Sequence, residues 1–276
     1  MSVLDNILKM LFGNGSHAAA TSSSQAPEAE TESLLHIGWQ QRDEGIYPDL
    51  FGPAKGEPVL LDEDIFRKDF GRRRIHPFWL HHGVLTFPPT SERPTWLYAT
   101  SGMSNAFDSM IEEWSGLGVE FILETPSRAD WAADKLARLM AYNLLIAIGH
   151  YENVADLMPG SIVRLGVPVN GDEACCLRNL IVLDAETPTS RNPETSLSPE
   201  SAQLDAQCVA HSSSEDKTPT TATYKLVTGR FELLQIVAIS DSEADFAEDK
   251  GHQALAAKLR DARHFPAIDV SRAPVV

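Results

Sequence analysis

Cysteine is scarce in this sequence. Only three occur in 276 residues, two adjacent (Cys175, Cys176) and one in a polar tract (Cys208), and this spacing supports neither a disulfide framework nor a zinc site. Reduced thiols and a cytoplasmic location are the expectation. Basic residues are also in deficit: 23 Lys and Arg stand against 39 Asp and Glu, a formal charge of -16. Such a balance disfavours phosphate backbones and anionic membranes, so nucleic acid is not an expected partner. No run reaches the roughly 18 apolar residues of a membrane span, and the first residues, "MSVLDNILKMLFGNG", carry no basic region ahead of their apolar ones. No secretion signal is read.

Several catalytic and cofactor signatures are missing too. G-x-G-x-x-G after a strand, G-x-x-x-x-G-K-[ST] and H-E-x-x-H do not occur, which removes the usual physical basis for nucleotide binding or zinc proteolysis. The serines of "TSGMSN" do not form G-x-S-x-G, so Ser101 and Ser104 are read as turn residues. Three histidines, His76, His81 and His82, lie within seven residues, but Pro77 stands against a helix that would align them on a metal. They are read as structural, and neither a metal nor a cofactor is expected. The run Arg67 to Arg74, basic at five of eight positions, is either a solvated face or a patch for an acidic partner.

What is present is enough for a substantial core, since 43% of the residues are hydrophobic. Leu4, Ile7, Leu8, Leu11 and Phe12 make one apolar stripe ended by Gly13, which predicts an amphipathic helix over 1–13. Residues 14–33 are small, polar and acidic, the composition of a flexible linker. The folded unit is therefore set at 34–276. A Pro-, Ser-, Thr- and acid-rich tract over about 184–223 reads as a mobile insertion within it.

Inside these limits, strand and helix patterns alternate. "TWLYAT" (Thr95 to Thr100) and "GVEFILET" (Gly118 to Thr125) have the aromatic and branched residues of strands and are expected to pair antiparallel. Ser127 followed by Asp130 predicts a capping-box-like helix start, and Leu136, Leu139, Met140 and Leu144 continue at helical spacing to Gly149. "RFELLQIVAIS" (Arg230 to Ser240) is a near-continuous apolar run, which suits a central strand covered on both faces. Leu255 and Leu259 mark a closing helix. The expected class is α/β (α+β), a mixed sheet covered by helices.

The order of the pieces carries more information than any one motif. "RPTWLYATSGMSN", "SGLGVEFILET", "ADWAADKLARLMAYNLL", the pair Gly149-His150 and "FELLQIVAIS" together resemble the Suppressor of fused domain family. In that family a Trp-x-Tyr strand and a Ser-Gly turn precede a Ser-Gly-Phe-Gly-Phe-Glu-Leu strand, a tryptophan-led helix and a later Phe-Leu-Gln-Ile-Val strand. The resemblance covers about Arg93 to Arg272.

It implies a non-enzymatic, single-domain binding module of the bacterial type, regulatory or immunity-like, that sequesters a protein or peptide partner, possibly a basic toxin. Tyr98, Asp108, Glu112 and Glu113 are its expected partner-binding residues. A scaffold protein, or a hydrolase or metal-dependent enzyme, are the alternatives.

Overall fold

The apolar runs assemble into one mixed sheet. The structure, a computed structural model, describes residues 34–106, 111–151, 154–186 and 222–276. The expected 1–13 helix and 14–33 linker, Asp108, Cys208 and the interior of the 184–223 tract fall outside these residues. Eight strands are described: β1 (Val59–Leu60), β2 (Gly83–Phe87), β3 (Trp96–Ser101), β4 (Trp114–Thr125), β5 (Ile162–Arg164), β6 (Asn179–Asp184), β7 (Thr223–Leu226) and β8 (Gly229–Ile239). Their order is β1-β2-β3-β4-β8-β6-β5, and β7 pairs with the first residues of β8. All pairings are antiparallel except that of β4 with β8.

Helices cover both faces, as a sheet buried on two sides requires. On the first face lie α2 (Asp130–Ala147), α3 (Asp241–Lys250) and α4 (His252–Asp261). Their Leu136, Met140, Ala244, Leu255 and Leu259 join Leu234, Ile236 and Val237 of β8 in one apolar cluster. On the second face, π-helical turns over Gln41–Ile46 run into the short α1 (Tyr47–Phe51). Tyr47 and Phe51 pack there with Phe87 at ring-centroid distances of 6.0 and 5.3 Å. Leu97, Ile122, Phe231 and Leu233 complete that second cluster.

The two strands expected to pair do so: β3 and β4 run antiparallel with Tyr98 opposite Leu123. β8 is central, between β4 and β6, and buried at nearly every position. One detail departs from expectation. α2 begins two residues later than a Ser127 cap would place it, with Ala129 as its capping residue and no side-chain cap. Ser127 instead accepts a hydrogen bond on its backbone carbonyl from Thr125 Oγ1, and the Ala129 N–H is donated to Tyr98 Oη at 2.7 Å. A tyrosine from the neighbouring strand therefore satisfies a donor at the helix start that a local serine was expected to serve.

Candidate functional site: an acidic corner on a buried arginine network

The first residues of β4 and β8 meet at a corner of the sheet, where Trp114 lies opposite Arg230. Between that pair and the next, Val119 with Glu232, β4 carries three more residues than β8 and bulges outward. Gly116, at φ 59°, makes the bulge possible. A Cβ there would stand 2.3 Å from the Asn105 carbonyl oxygen and 2.5 Å from that of Met103. The Leu117 N–H donates to that same Met103 oxygen, so the bulge is pinned to the Ser-Gly turn after β3.

Outside the bulge stands a short acidic and apolar rim. Ile111 and Trp114 are exposed, Glu112 is half-buried and Glu113 is exposed. Glu113 forms an ion pair with Arg230, whose guanidinium also lies 5.0 Å from the centre of the Trp114 ring. Backbone bonds hold the rim on the β7–β8 turn, through Glu112 N–H to the Thr228 carbonyl and Arg230 N–H to the Glu113 carbonyl.

Beneath the corner is a polar network whose centre, Arg42 and Glu120, is closed to solvent. Arg42, fully buried, enters from the π-helical turns. Its Nη1 donates to Ser104 Oγ at 2.8 Å, Asn105 Oδ1 at 2.7 Å and Glu120 Oε1 at 3.2 Å; its Nη2 donates to Ser101 Oγ at 2.6 Å and its Nε to Asp43 at 2.8 Å. Glu120, equally buried, accepts from the N–H groups of Gly102 and Ser104, from Ser104 Oγ and from Thr100 Oγ1. Burial opposes the charge on Arg42, but Asp43 and Glu120 outweigh it and hold the guanidinium above its ordinary value. Tyr47, which donates from its hydroxyl to the Thr100 carbonyl, has its ionisation pushed well up by burial first and by Glu120 next.

The turn "TSGMSN" is thus a socket for one arginine and one carboxylate. Its serines are turn residues, as the sequence reading has it, yet their hydroxyls also ligate Arg42, about sixty positions upstream. No local spacing signals that contact.

The expected site residues separate here. Glu112 and Glu113 stand together at the corner. Tyr98 does not join them: it is 1% exposed, in the core beside α2, so the expected ring-to-partner contact is corrected to a bracing role through Ala129. Its register opposite Leu123 places it near the far end of β4 from Glu113. Of the three histidines, His76 accepts from the Phe78 N–H on Nδ1 and His82 is buried against the Phe78 ring. Among the described residues no group of three or more His, Cys, Asp or Glu could hold a metal, and no helix is long and apolar enough to cross a membrane. Cys175 is buried and Cys176 exposed, both free.

Comparisons with known proteins agree with this architecture. No curated protein matches the sequence significantly. Three solved structures align with most of the chain. One is the Sufu–Fu complex crystal structure, 14% identical over 89% of this chain and 92% of that one, TM-score 0.49. Another is a suppressor of fused homologue from Neisseria gonorrhoeae FA 1090, 17% identical over 90% and 98%, TM-score 0.45. The third is Drosophila Suppressor of Fused, 14% identical over 90% of this chain, TM-score 0.51; this chain spans 51% of that longer one. Residues 79–273 match the Suppressor of fused protein (SUFU) family, and the chain belongs to that family.

Proposed function

We propose that this protein is a non-enzymatic binding module of regulatory or immunity type, which sequesters a basic protein or peptide at the Ile111–Trp114 corner. The observation that carries the reading is the contrast in depth at that corner. Glu120 is spent on the fold, whereas Glu113 and the exposed Ile111 and Trp114 face outward on a rigid base. A carboxylate rim beside an indole suits a basic, partly apolar partner: the charges steer encounter and the aromatic supplies a rigid contact. Asp108, three residues before Ile111 in the sequence, is the remaining acidic residue expected to bind the partner and stays part of this reading. Family membership supports a protein partner over a small substrate.

The test has two arms. Wild-type protein and Glu112→Lys/Glu113→Lys serve as baits in the native lysate, and association of the captured protein is then measured at two ionic strengths. Slower, less salt-sensitive association of the variant is expected; equal rates and equal salt dependence remove the corner from consideration. For the immunity role, the neighbouring gene product is expressed with and without this protein. Growth arrest only in its absence is the expected outcome, and normal growth in both cultures confines the role to regulation.

A further inference from the structure

A second surface lies at the β5 edge of the sheet, and its local charge has the opposite sign. β5 is the terminal strand of the sheet beyond β6. Between β5 and α2 runs a groove of about 910 Å³, whose walls include Phe70, Tyr142, Val154, Ile162, Val163 and Leu165. The groove is open, and its apolar walls are interrupted by Asp69, Asp134, Lys135, Arg138 and Arg164. Its internal charges are largely neutralised, because Arg138 pairs with both Asp69 and Asp134, and Arg164 pairs with Asp245 and Glu248.

Beyond the Phe70 end, the chain turns into Arg72, Arg73 and Arg74. Aromatic contacts connect the two places: Phe70 stacks on Tyr142, Tyr142 meets Tyr151, and Tyr151 meets His150 at centroid distances of 6.2, 5.3 and 4.7 Å. Arg72 Nη1 lies 3.4 Å from His150 Nδ1, while its buried Nε has no hydrogen-bond partner among the described residues. Arg67 and Lys68, in the same run, are answered by Asp64. Arg72, Arg73 and Arg74 have no carboxylate within ion-pair distance among the described residues, although the chain as a whole carries a charge of -16. Three adjacent uncompensated arginines on so acidic a protein call for an anion from outside.

We infer that this groove is a docking site for an extended acidic segment of a protein partner, laid along β5 with apolar side chains in the groove and a carboxylate on Arg72–Arg74. A terminal strand supplies backbone groups for an added strand, whose alternate side chains point to one face. Arginine then sets polarity and register by binding the carboxylate. The repulsion expected from the overall negative charge is screened beyond about 8–10 Å at physiological salt, so the local arginines decide. This surface lies apart from the acidic corner, and its test leaves the reading of that corner untouched.

The experiment uses the full chain and three fluorescein-labelled decapeptides: alternating Val-Glu, alternating Val-Lys and alternating Ser-Glu. Fluorescence anisotropy should show binding of Val-Glu alone. Arg73→Glu/Arg74→Glu, which changes only exposed side chains, should weaken that binding at least about 10-fold, the equivalent of ~1.4 kcal/mol. Hydrogen exchange at Ile162 to Leu165 should slow on adding the Val-Glu peptide and stay unchanged with the others. Equal binding of Val-Glu and Val-Lys, or Val-Glu binding unaffected by the double substitution, overturns the proposal. Protection that avoids β5 overturns it as well. A dimer of the protein that dissociates in the same variant, with no peptide bound, gives the groove to a second copy and rejects the peptide.

Discussion

Two arginine–carboxylate pairs occupy the same corner and do different work. Arg42 and Glu120 are wholly buried and take part in nine hydrogen bonds, one between them and eight to the Thr100–Asn105 turn and Asp43, whereas Arg230 and Glu113 stand in solvent with one ion pair and one indole. Burial makes the difference. A charge removed from water must have every donor and acceptor answered, and once answered it fixes the geometry around it. An exposed pair gains little from its own attraction, because water and salt screen it, and its carboxylate remains available to a newcomer.

A buried charge introduced without partners should have the largest effect. Ile236, at the centre of β8 and 0% exposed, has only apolar neighbours in its cluster. Ile236→Asp should cost more than about 4 kcal/mol and abolish cooperative unfolding. Thermal denaturation followed by circular dichroism decides it; a retained transition near the parent's would show that β8 is not the covered strand described above.

Removing one member of the buried pair should come next. Arg42→Met strands Glu120 and should destabilise by about 3–5 kcal/mol, and adding Glu120→Gln should recover part of that loss. Urea titration of the two single variants and the double measures the coupling. Strictly additive losses would mean that the arginine serves the π-helical turns alone.

Acid should act on the buried side of the corner through His82, which lies behind the same turn against Gly102. Burial first, then Arg42 and His81, push its pKa from 6.5 down to about 3, and neither ring nitrogen has a partner among the described residues. As pH falls below 6.5 the unfolded chain takes up this proton before the folded one does. The stability due to a neutral His82 is therefore complete above pH 6.5 and is lost as pH falls towards 3, at up to about 1.4 kcal/mol per pH unit. His82→Leu should flatten that slope relative to the parent over this window. Parallel pH profiles would indicate that the ring is protonated or solvated in the fold.

The exposed pair should give the smallest effect. Glu113→Lys should change stability by no more than about 1 kcal/mol, since a screened surface pair contributes little, while changing the salt dependence of partner association. Calorimetry and stopped-flow kinetics separate the two. A large loss of stability would make Glu113 a second structural carboxylate.

How legible each element was in the sequence follows from the range of its interactions. β3, β4, β8, α2 and α4 carry their own periodicity, and Gly149 ends α2 in a left-handed conformation at φ 70°, so their type and approximate extent could be read directly. α3 was missed as a helix although its signal was there: Ser240 and Glu243 form a complete capping box. Its acidic, weakly periodic composition concealed it. The turns over 41–51 were missed for another reason, since their contribution is one arginine and two aromatic rings that have meaning only against the second face of the sheet. They also precede the residues 79–273 that match the family.

The family resemblance and the local charge singled out Glu112 and Glu113 as expected contacts, but neither told which carboxylate of the region would be buried. Glu120 sits in the strand pattern "GVEFILET" with nothing nearby to distinguish it from a solvated glutamate. Tyr98 was misplaced because alternation along a strand predicts two faces without saying which of them α2 will cover.

By itself the sequence determined the alternating strand and helix segments, their antiparallel or central character, the absence of familiar nucleotide and zinc motifs, and the acidic charge that shapes the choice of partner. These follow from local periodicity and composition. Only the tertiary structure decided that Arg42 would join Glu120 inside the Thr100–Asn105 turn, that Tyr98 would brace α2, and that Phe70, Tyr142 and β5 would border one groove. Each depends on residues far apart in the chain, and the free energy of a charge is set by its surroundings after folding, which neighbouring sequence does not encode.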